Sequence, residues 1–214
     1  TPIAINGILY VSSSTAIVSA INGSTGQTIW TYDPETYKSN APAHGAYIHR
    51  GVSYWDDGKE GRIIVGTPDA RLIALNAKDG SLVESFGKSG IVDLSQGLSR
   101  PFDASHYGIS TPPIIANNVI VIGASITDAS PQSMRPPGDV RGFDVKTGEQ
   151  LWVFHTIPQA GEYGNDTWEN ESWKITGNTN VWTRMSADEE LGYVYLPIST
   201  PTNDWYGGNR LGDN

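Results

Sequence analysis

Short apolar runs alternate with polar turns along most of the chain, and few segments carry a helical period. The first three runs occupy residues 8–14, 16–22 and 28–32 and are rich in β-branched and aromatic residues, which favour strands. The last two flank a turn that contains Gly23 and Gly26. This pattern predicts one antiparallel meander.

The same order of predicted strands recurs further along the chain. The two further copies comprise residues 62–68, 71–77 and 81–86, then residues 117–125, 140–145 and 149–154. A fourth copy begins within residues 178–199. A repeat of this kind decides the fold class, because each copy is one supersecondary unit that buries its apolar face against its neighbours.

A Gly followed by a large aromatic residue marks the last turn of each complete copy. The pairs are Gly26 with Trp30, Gly80 with Phe86 in a degenerate middle copy, and Gly148 with Trp152. Gly permits a tight turn, and the aromatic ring offers a flat apolar plate that wedges between neighbouring sheets. Four-stranded meanders with such a signature are typical of β-propellers. The sequence therefore predicts an all-β fold of four-stranded antiparallel blades, in which these aromatic residues are structural.

Composition agrees with this fold and excludes some partners. The 214 residues include 24 Gly, 13 Pro and 7 Trp, as expected for a β protein with many tight turns. The net charge of −9, with no cluster of Lys or Arg, argues against nucleic acid and anionic membrane as partners. The absence of Cys excludes a disulfide framework or a thiolate metal site. The opening TPIAINGILYV is typical of the middle of a strand pair, so we expect the sequence to be a fragment.

Three long insertions separate the predicted strands. They span residues 39–58, 95–113 and 156–182 and are rich in Gly, Pro, His and aromatic residues. They are too long for plain hairpin turns. Because binding residues concentrate on loops carried by a rigid scaffold, we expect the functional site to be built from these insertions.

Several phrases resemble the quinoprotein dehydrogenases, which use pyrroloquinoline quinone (PQQ). They are HRGVSYW at 49–55, STPPIIANNVIVIGASITD at 110–128, GDVRGFDVKTGEQLW at 138–152 and GYVYLPISTPTNDWYGGNRLGDN at 192–214. Their wording is most similar to the glucose-dehydrogenase-like and polyol branch. The resemblance implies an eight-bladed propeller with a metal ion beside the quinone. Residues 1–214 would then form a partial propeller domain of about three blades and part of a fourth, roughly half of the ring.

The resemblance also implies polar contacts to the cofactor. Arg50 matches the family arginine that pairs with PQQ carboxylates, a role that suits a planar guanidinium. From the residues alone, Arg50 could equally be a surface side chain. Ser110, Thr111 and Ser125 match positions where the family uses hydroxyl groups to reach the cofactor.

An aromatic floor for the cofactor is implied in the third insertion. Trp182 matches the tryptophan on which PQQ stacks, and a flat ring suits a flat cofactor. Asn180, two residues earlier, could lend its amide to the cofactor edge if this segment is a strand. Without the family phrase, Trp182 would be interpreted as a core residue.

The implied metal is Ca²⁺ or Mg²⁺, bound by oxygen ligands. Asp128 falls where the methanol-type branch places a carboxylate ligand, although it could be an ordinary turn residue. Thr200 falls where that branch has an Asn ligand, and Thr202 falls on the Thr of the glucose-type phrase.

Two features depart from the family pattern. The alcohol-oxidising branches carry an adjacent Cys pair near the HRG phrase, where this chain has Ala46 to His49. His49 could face the substrate or pack in a loop. The family's catalytic aspartate is expected in a later blade, beyond Asn214, so no catalytic residue is assigned.

The resemblance implies a periplasmic bacterial enzyme, either soluble or attached to the membrane through a further segment. It would oxidise a hydroxyl of a sugar, polyol or alcohol and pass electrons to ubiquinone or cytochrome c. A partial propeller leaves blade faces uncovered, so the remainder of the propeller or another chain is an expected partner.

Two alternatives remain at the level of sequence. A non-enzymatic propeller that acts as an assembly scaffold would share the Gly and Trp phrases, because they are structural. A carbohydrate-binding propeller would use exposed tryptophans as platforms for sugar rings, with Trp168, Trp173 and Trp205 as candidates.

Overall fold

Almost all regular structure in the protein is β-strand. The computed structural model describes residues 1–39, 47–127, 135–208 and 210–212. In chain order the strands are β1 (Ile3–Ile5), β2 (Ile8–Ser12), β3 (Val18–Asn22), β4 (Thr28–Tyr32), β5 (Ser53–Asp56), β6 (Gly61–Gly66), β7 (Arg71–Asn76), β8 (Ile91–Asp93), β9 (Tyr107–Gly108), β10 (Ile114–Ala116), β11 (Val119–Ile122), β12 (Ser125–Ile126), β13 (Val140–Asp144), β14 (Gln150–Phe154), β15 (Ser186–Asp188) and β16 (Tyr193–Tyr195).

Short 3₁₀ helices are the other regular elements in the described ranges. They span Thr36–Lys38, Ala104–His106, Asn165–Thr167 and Glu169–Lys174. No helix in these ranges has the length and apolar character needed to cross a membrane.

The strands form three four-stranded antiparallel sheets. The first sheet has the order β1-β2-β3-β4, the second β5-β6-β7-β8 and the third β10-β11-β13-β14. Two smaller pairs complete the pattern, β9 with β12 and β15 with β16. The repeated meanders predicted from the sequence are therefore present, and the third sheet differs because β12 leaves it to pair with β9.

Residues 81–86 are not a strand, and the prediction there was wrong. Leu82 forms a single bridge to Leu75, and the backbone then turns, with the Phe86 N–H donating to the Val83 carbonyl at 2.9 Å. The fourth strand of this sheet is β8 instead. The turn carries the fully buried Phe86 ring into the core, and this packing outweighs the strand preference of the local sequence.

The second sheet is buried on both faces. In β6, Ile63 and Val65 pack in a cluster with Val18 and Trp30 of the first sheet. The alternate residue Ile64 packs in a separate cluster with residues of the third sheet, including Ile120. Because successive side chains of a strand point to opposite faces, both faces of β6 need apolar residues, which explains its continuous apolar run.

The aromatic residue of one repeat packs on the Gly turn of the next. Trp30 donates its indole N–H to the Ala77 carbonyl at 3.0 Å. A Cβ built on Gly80 would lie 2.6 Å from Cε3 of Trp30, so Gly80 leaves the space that the ring fills. Phe86 repeats this contact, because a Cβ on Gly148 would lie 3.3 Å from its Cδ2. The signature therefore holds neighbouring sheets together within the described chain.

Candidate functional site

Equivalent ends of neighbouring hairpins meet at one cleft. Arg50, Ser110 and Trp182 stand three or four residues before β5, β10 and β15, the first strands of successive repeats. Ser125 and Ser199 follow the second strands of two of these repeats. In an antiparallel hairpin the start of the first strand lies beside the end of the second. The topology therefore collects these residues on one side of the molecule.

The cleft has a volume of about 430 Å³ and a mixed lining. An aromatic ring and two aliphatic side chains provide apolar surface, and hydroxyl, amide, guanidinium and carboxylate groups provide polar contacts. The described lining residues are Ile48, Arg50, Ser110, Ser125, Ile126, Thr127, Asn178, Asn180, Trp182, Ser199 and Asp204. All three long insertions contribute to this lining, as expected from the sequence.

Arg50 and Trp182 form the contact at the centre of the lining. The guanidinium carbon of Arg50 lies 5.2 Å from the centroid of the Trp182 ring, within the range of a cation–π interaction. Arg50 also donates from Nη1 to the Ser110 hydroxyl at 2.7 Å, and its backbone N–H donates to the Ser110 carbonyl at 2.8 Å. Trp182 remains 45% exposed. The guanidinium of Arg50 thus lies over the Trp182 ring, and both groups belong to the lining of the cleft.

Three other predicted residues are buried beside the cleft. Thr111 is buried, and its hydroxyl donates to the Trp182 carbonyl, so it positions the aromatic residue and does not line the cleft. Asn180 donates from Nδ2 to the Ala124 carbonyl at 2.8 Å and accepts at Oδ1 from the Ser199 hydroxyl at 2.6 Å. Ser125 is buried in β12 and lines the cleft.

His49 packs between sheets and is not a described lining residue of the cleft. Its Nδ1 lies 2.7 Å from the Ser12 hydroxyl, and its Nε2 lies 2.8 Å from the Gly66 carbonyl. Since a carbonyl only accepts, Nε2 carries the proton of the neutral ring. Burial lowers the pKa of His49 to about 4, so the ring is neutral near pH 7.

Two of the three predicted metal ligands lie in the described ranges. Asp128 lies outside the described residues. Thr200 donates its hydroxyl to Oδ1 of Asp204 at 2.5 Å. Thr202 is fully buried, and its hydroxyl has no hydrogen-bond partner. Neither threonine is among the described lining residues. The described residues contain no group of three or more His, Cys, Asp or Glu able to hold a metal ion.

Sequence reasoning missed Asn178, Thr127 and Asp204, which also line the cleft. Asn178 is 3% exposed, and its Oδ1 has no hydrogen-bond partner; the buried Thr127 hydroxyl has none either. A buried polar atom without a partner is costly, so these two atoms fit a ligand that brings polar groups. The available signals were that Thr127 and Asp204 lie within family phrases and that Asn178 lies within the third insertion.

The cleft suits a flat, carboxylated ring system such as PQQ. Trp182 provides an aromatic ring for stacking, and Arg50 provides a guanidinium that can pair with carboxylates. The oxygens of Asn178 and Thr127 have no hydrogen-bond partner within the protein and can contact polar groups of a ligand.

The proposed sugar platforms differ greatly in exposure. Trp168 is buried, with 8% of its surface exposed, so its interpretation as an exposed platform was wrong. Trp173 is half-buried, whereas Trp205 is 95% exposed.

Comparison with known sequences gives a consistent result. Residues 1–214 match the family described as "PQQ: Glucose/ethanol/alcohol dehydrogenase, beta-propeller domain". The chain is 34% identical to the quinoprotein glucose dehydrogenase of Escherichia coli (strain K12) over 98% of its own length. It is 32% identical to the glycerol dehydrogenase large subunit of Gluconobacter oxydans (strain 621H), also over 98%. It spans 27% and 28% of the lengths of these two relatives.

Comparison with solved structures agrees. The quinohemoprotein alcohol dehydrogenase from Comamonas testosteroni superposes with a TM-score of 0.76 at 27% identity, covering 94% of this chain and 29% of that structure. The β-propeller fold predicted from the repeats is thereby confirmed. With its full-length match to the family and a cleft suited to the cofactor, the chain belongs to the PQQ-dependent glucose/ethanol/alcohol dehydrogenase β-propeller family.

Proposed function

We propose that this protein oxidises a hydroxyl group of a sugar, polyol or alcohol to a carbonyl or lactone, with PQQ as its cofactor. The observation that carries the proposal is the convergence of Arg50, Ser110, Ser125, Asn180 and Trp182 on one cleft. They come from three separate parts of the chain, residues 50, 110–125 and 180–182. The matched family describes dehydrogenases, which favours an enzyme over a scaffold.

The residues of this chain would bind and orient the cofactor. Trp182 provides the stacking face, and Arg50 pairs with carboxylate groups while Ser110 holds its guanidinium. Thr111 fixes the backbone of Trp182, and Asn180 ties the segment that carries Trp182 to Ala124. When bound, PQQ supplies the redox chemistry, and the protein supplies position and electrostatics.

The resemblance also suggests the substrate branch, the metal, the electron acceptor and the location. We place the protein in the glucose and polyol branch because of the similarity of residues 138–152 and 192–214 to that branch. A divalent cation, Ca²⁺ or Mg²⁺, would accompany the cofactor, with Asp128, Thr200 and Thr202 as the ligands suggested by the resemblance. Ubiquinone or cytochrome c would accept the electrons, and the bacterial periplasm would be the location.

Titration with PQQ tests the proposal directly. We expect PQQ to quench the tryptophan fluorescence of the full-length protein in a saturable manner when Ca²⁺ is present. Trp182→Ala should weaken binding by on the order of tenfold or more, because it removes the stacking face. Trp173→Ala is the matched control, since Trp173 is half-buried and is not a described lining residue of the cleft.

The outcomes separate the alternatives. Saturable quenching that Trp182→Ala weakens and Trp173→Ala leaves intact supports the dehydrogenase. Absence of PQQ binding by the full-length protein contradicts it. Sugar binding that depends on Trp205 and is independent of PQQ would instead support a carbohydrate-binding propeller.

A further inference from the structure

We propose that Arg100 is a positioning residue that fixes the part of the cleft on which the cofactor stacks. Arg100 lies in the second insertion, outside the phrases that resemble the family, and is not among the described residues that line the cleft. The inference rests on the proposed function, because it concerns how tightly the same cleft binds PQQ.

The guanidinium of Arg100 donates to four backbone carbonyls. Nη1 donates to the Trp173 carbonyl at 3.2 Å and to the Lys174 carbonyl at 2.9 Å. Nη2 donates to the Arg135 carbonyl at 2.7 Å and to the Thr176 carbonyl at 2.5 Å. Because each of these nitrogens carries two hydrogens, both are fully used. One side chain thus joins the third insertion to the segment that precedes β13.

The third insertion continues from these carbonyls into the residues that face the cofactor. We call residues 176–182 the cofactor wall, and its members that line the cleft are Asn178, Asn180 and Trp182. The wall begins at Thr176, one of the four acceptors of Arg100. The contacts of Arg100 therefore lie next to the lining residues in the chain.

The cofactor wall pairs in parallel with residues 135–138. A parallel bridge joins Asn178 to Pro137, and the Asn178 N–H donates to the Pro136 carbonyl at 3.0 Å. In a parallel pair both segments begin at the same end. The two carbonyls that Nη2 contacts stand at this end, one on each segment, so Arg100 holds the segments together where their pairing begins.

The wall depends on its surroundings because its backbone is strained. Asn178 and Thr179 have φ values of +65° and +55°. The left-handed region is unfavourable for residues other than Gly, and most of all for a β-branched residue such as Thr. Such a backbone persists only where the surrounding structure holds it. Without Arg100 the wall can relax, and the Trp182 ring then loses its fixed position.

The loop that makes these contacts is itself anchored beside the third sheet. Arg141 of β13 is 1% exposed and donates to the carbonyls of Leu94 and Gln96 at 2.6 and 2.8 Å. The buried Asp139 accepts a hydrogen bond from the Ser99 hydroxyl. The guanidinium therefore extends from a fixed loop, and its contacts determine where the wall lies.

Chemical rescue of an Arg100 variant tests this role without depending on activity. The full-length protein and its Arg100→Ala variant are titrated with PQQ in excess Ca²⁺, with tryptophan fluorescence as the readout. The variant should bind PQQ on the order of tenfold more weakly, because the wall is no longer fixed. Guanidinium chloride, far below the concentrations that unfold the protein, should restore most of this loss. Urea and NaCl at the same concentrations should not.

Two further variants separate positioning from general stability. Lys carries its three donors on one nitrogen and cannot span four carbonyls, so Arg100→Lys should also weaken PQQ binding. Arg62→Ala is the matched control, because Arg62 is 3% exposed, donates to the carbonyls of Val145 and Lys146, and is not a described lining residue of the cleft. It should lower the free energy of unfolding and leave the affinity for PQQ unchanged.

Each outcome has one meaning. If Arg100→Ala binds PQQ as tightly as the unsubstituted protein, the inference is overturned while the proposed function stands. Equal weakening by Arg100→Ala and Arg62→Ala, or failure of guanidinium to restore binding, would show a general structural role and would also overturn it. If Arg100→Ala does not fold, the affinity of Arg100→Lys decides in the same way. If the unsubstituted protein binds no PQQ, the proposed function fails, and the inference fails with it.

Discussion

At the scale of single residues, the cleft depends on side chains whose hydrogen bonds are already made. Thr111 donates a hydrogen bond to the Trp182 carbonyl. Asn180 donates one to the Ala124 carbonyl and accepts one from the Ser199 hydroxyl. The sequence predicted both residues as contacts to the cofactor, but it could not distinguish a residue that lines the cleft from one that positions another. That distinction depends on the direction of each side chain in three dimensions.

His49 provides a prediction of pH dependence. Its pKa in the folded protein is about 4, below the ordinary value of 6.5, because burial disfavours the charged ring. As the pH falls below 6.5, the unfolded chain binds a proton at His49 before the folded protein does. The stability from neutral His49 is therefore complete above pH 6.5, and up to about 3 kcal/mol is lost as the pH falls toward 4.

Urea unfolding at pH 7.5, 6 and 4.5 measures this effect. His49→Gln should flatten the loss of stability between pH 6.5 and 4, since Gln does not titrate. His106→Gln is the control, because His106 is partly exposed and lies in a 3₁₀ helix. Parallel curves for the His49 variant and the unsubstituted protein would contradict the assignment.

At the scale of elements, the sequence predicted most strands because their apolar runs are short and bounded by turns. The run at residues 28–32 coincides with β4, whereas residues 81–86 fold otherwise because the buried Phe86 turns into the core. Local pattern predicts a strand where hairpin pairing decides the backbone, as it does for β4, which pairs with β3. It fails where a contact with the next repeat decides the backbone.

Some residues of the candidate site could also be predicted from the sequence, and others could not. Arg50, Ser110 and Trp182 were predictable because each matches a family position and precedes the first strand of a repeat. Asn178 and Asp204 were not, because they reach the cleft on two irregular segments that pair with each other. Such pairing leaves no periodic signal in the sequence.

The Gly turns allow a matched test of docking between sheets. Gly26 and Gly80 have φ values of +73° and +75°, so Ala at either position strains the backbone equally, by about 1 kcal/mol. A Cβ at Gly26 meets open space, whereas one at Gly80 would lie 2.6 Å from the Trp30 ring. Gly80→Ala should therefore lower the free energy of unfolding by a further 1 to 3 kcal/mol or so.

Chemical denaturation of the two variants checks this prediction. Equal losses for Gly26→Ala and Gly80→Ala would show that backbone strain alone explains them. In that case the contact between Trp30 and Gly80 would contribute little to the attachment of the first sheet to the second.

At the scale of the whole molecule, neighbouring sheets are joined by related contacts, each between an aromatic ring and a Gly turn. Trp30 packs on Gly80, and Phe86 packs on Gly148. The cleft lies where equivalent hairpin ends converge. The sequence repeat therefore accounts both for the contacts between sheets and for the side of the molecule on which the site forms.

Trp152 occupies the same position in its repeat as Trp30, but no sheet among the described residues covers it. It is 39% exposed, and its neighbours Leu151, Val153 and Phe154 in β14 are 37% to 49% exposed. We expect a further sheet, from the rest of the propeller or another chain, to cover it in the full-length protein.

Trp152→Ala should then cost about 3 to 5 kcal/mol in the free energy of unfolding, as expected for Trp30→Ala. Trp205→Ala is the control, because Trp205 is 95% exposed, and its loss should be near zero. A Trp152 variant as stable as the Trp205 variant would mean that no sheet packs on β14, and that the contacts between rings and Gly turns end with Phe86.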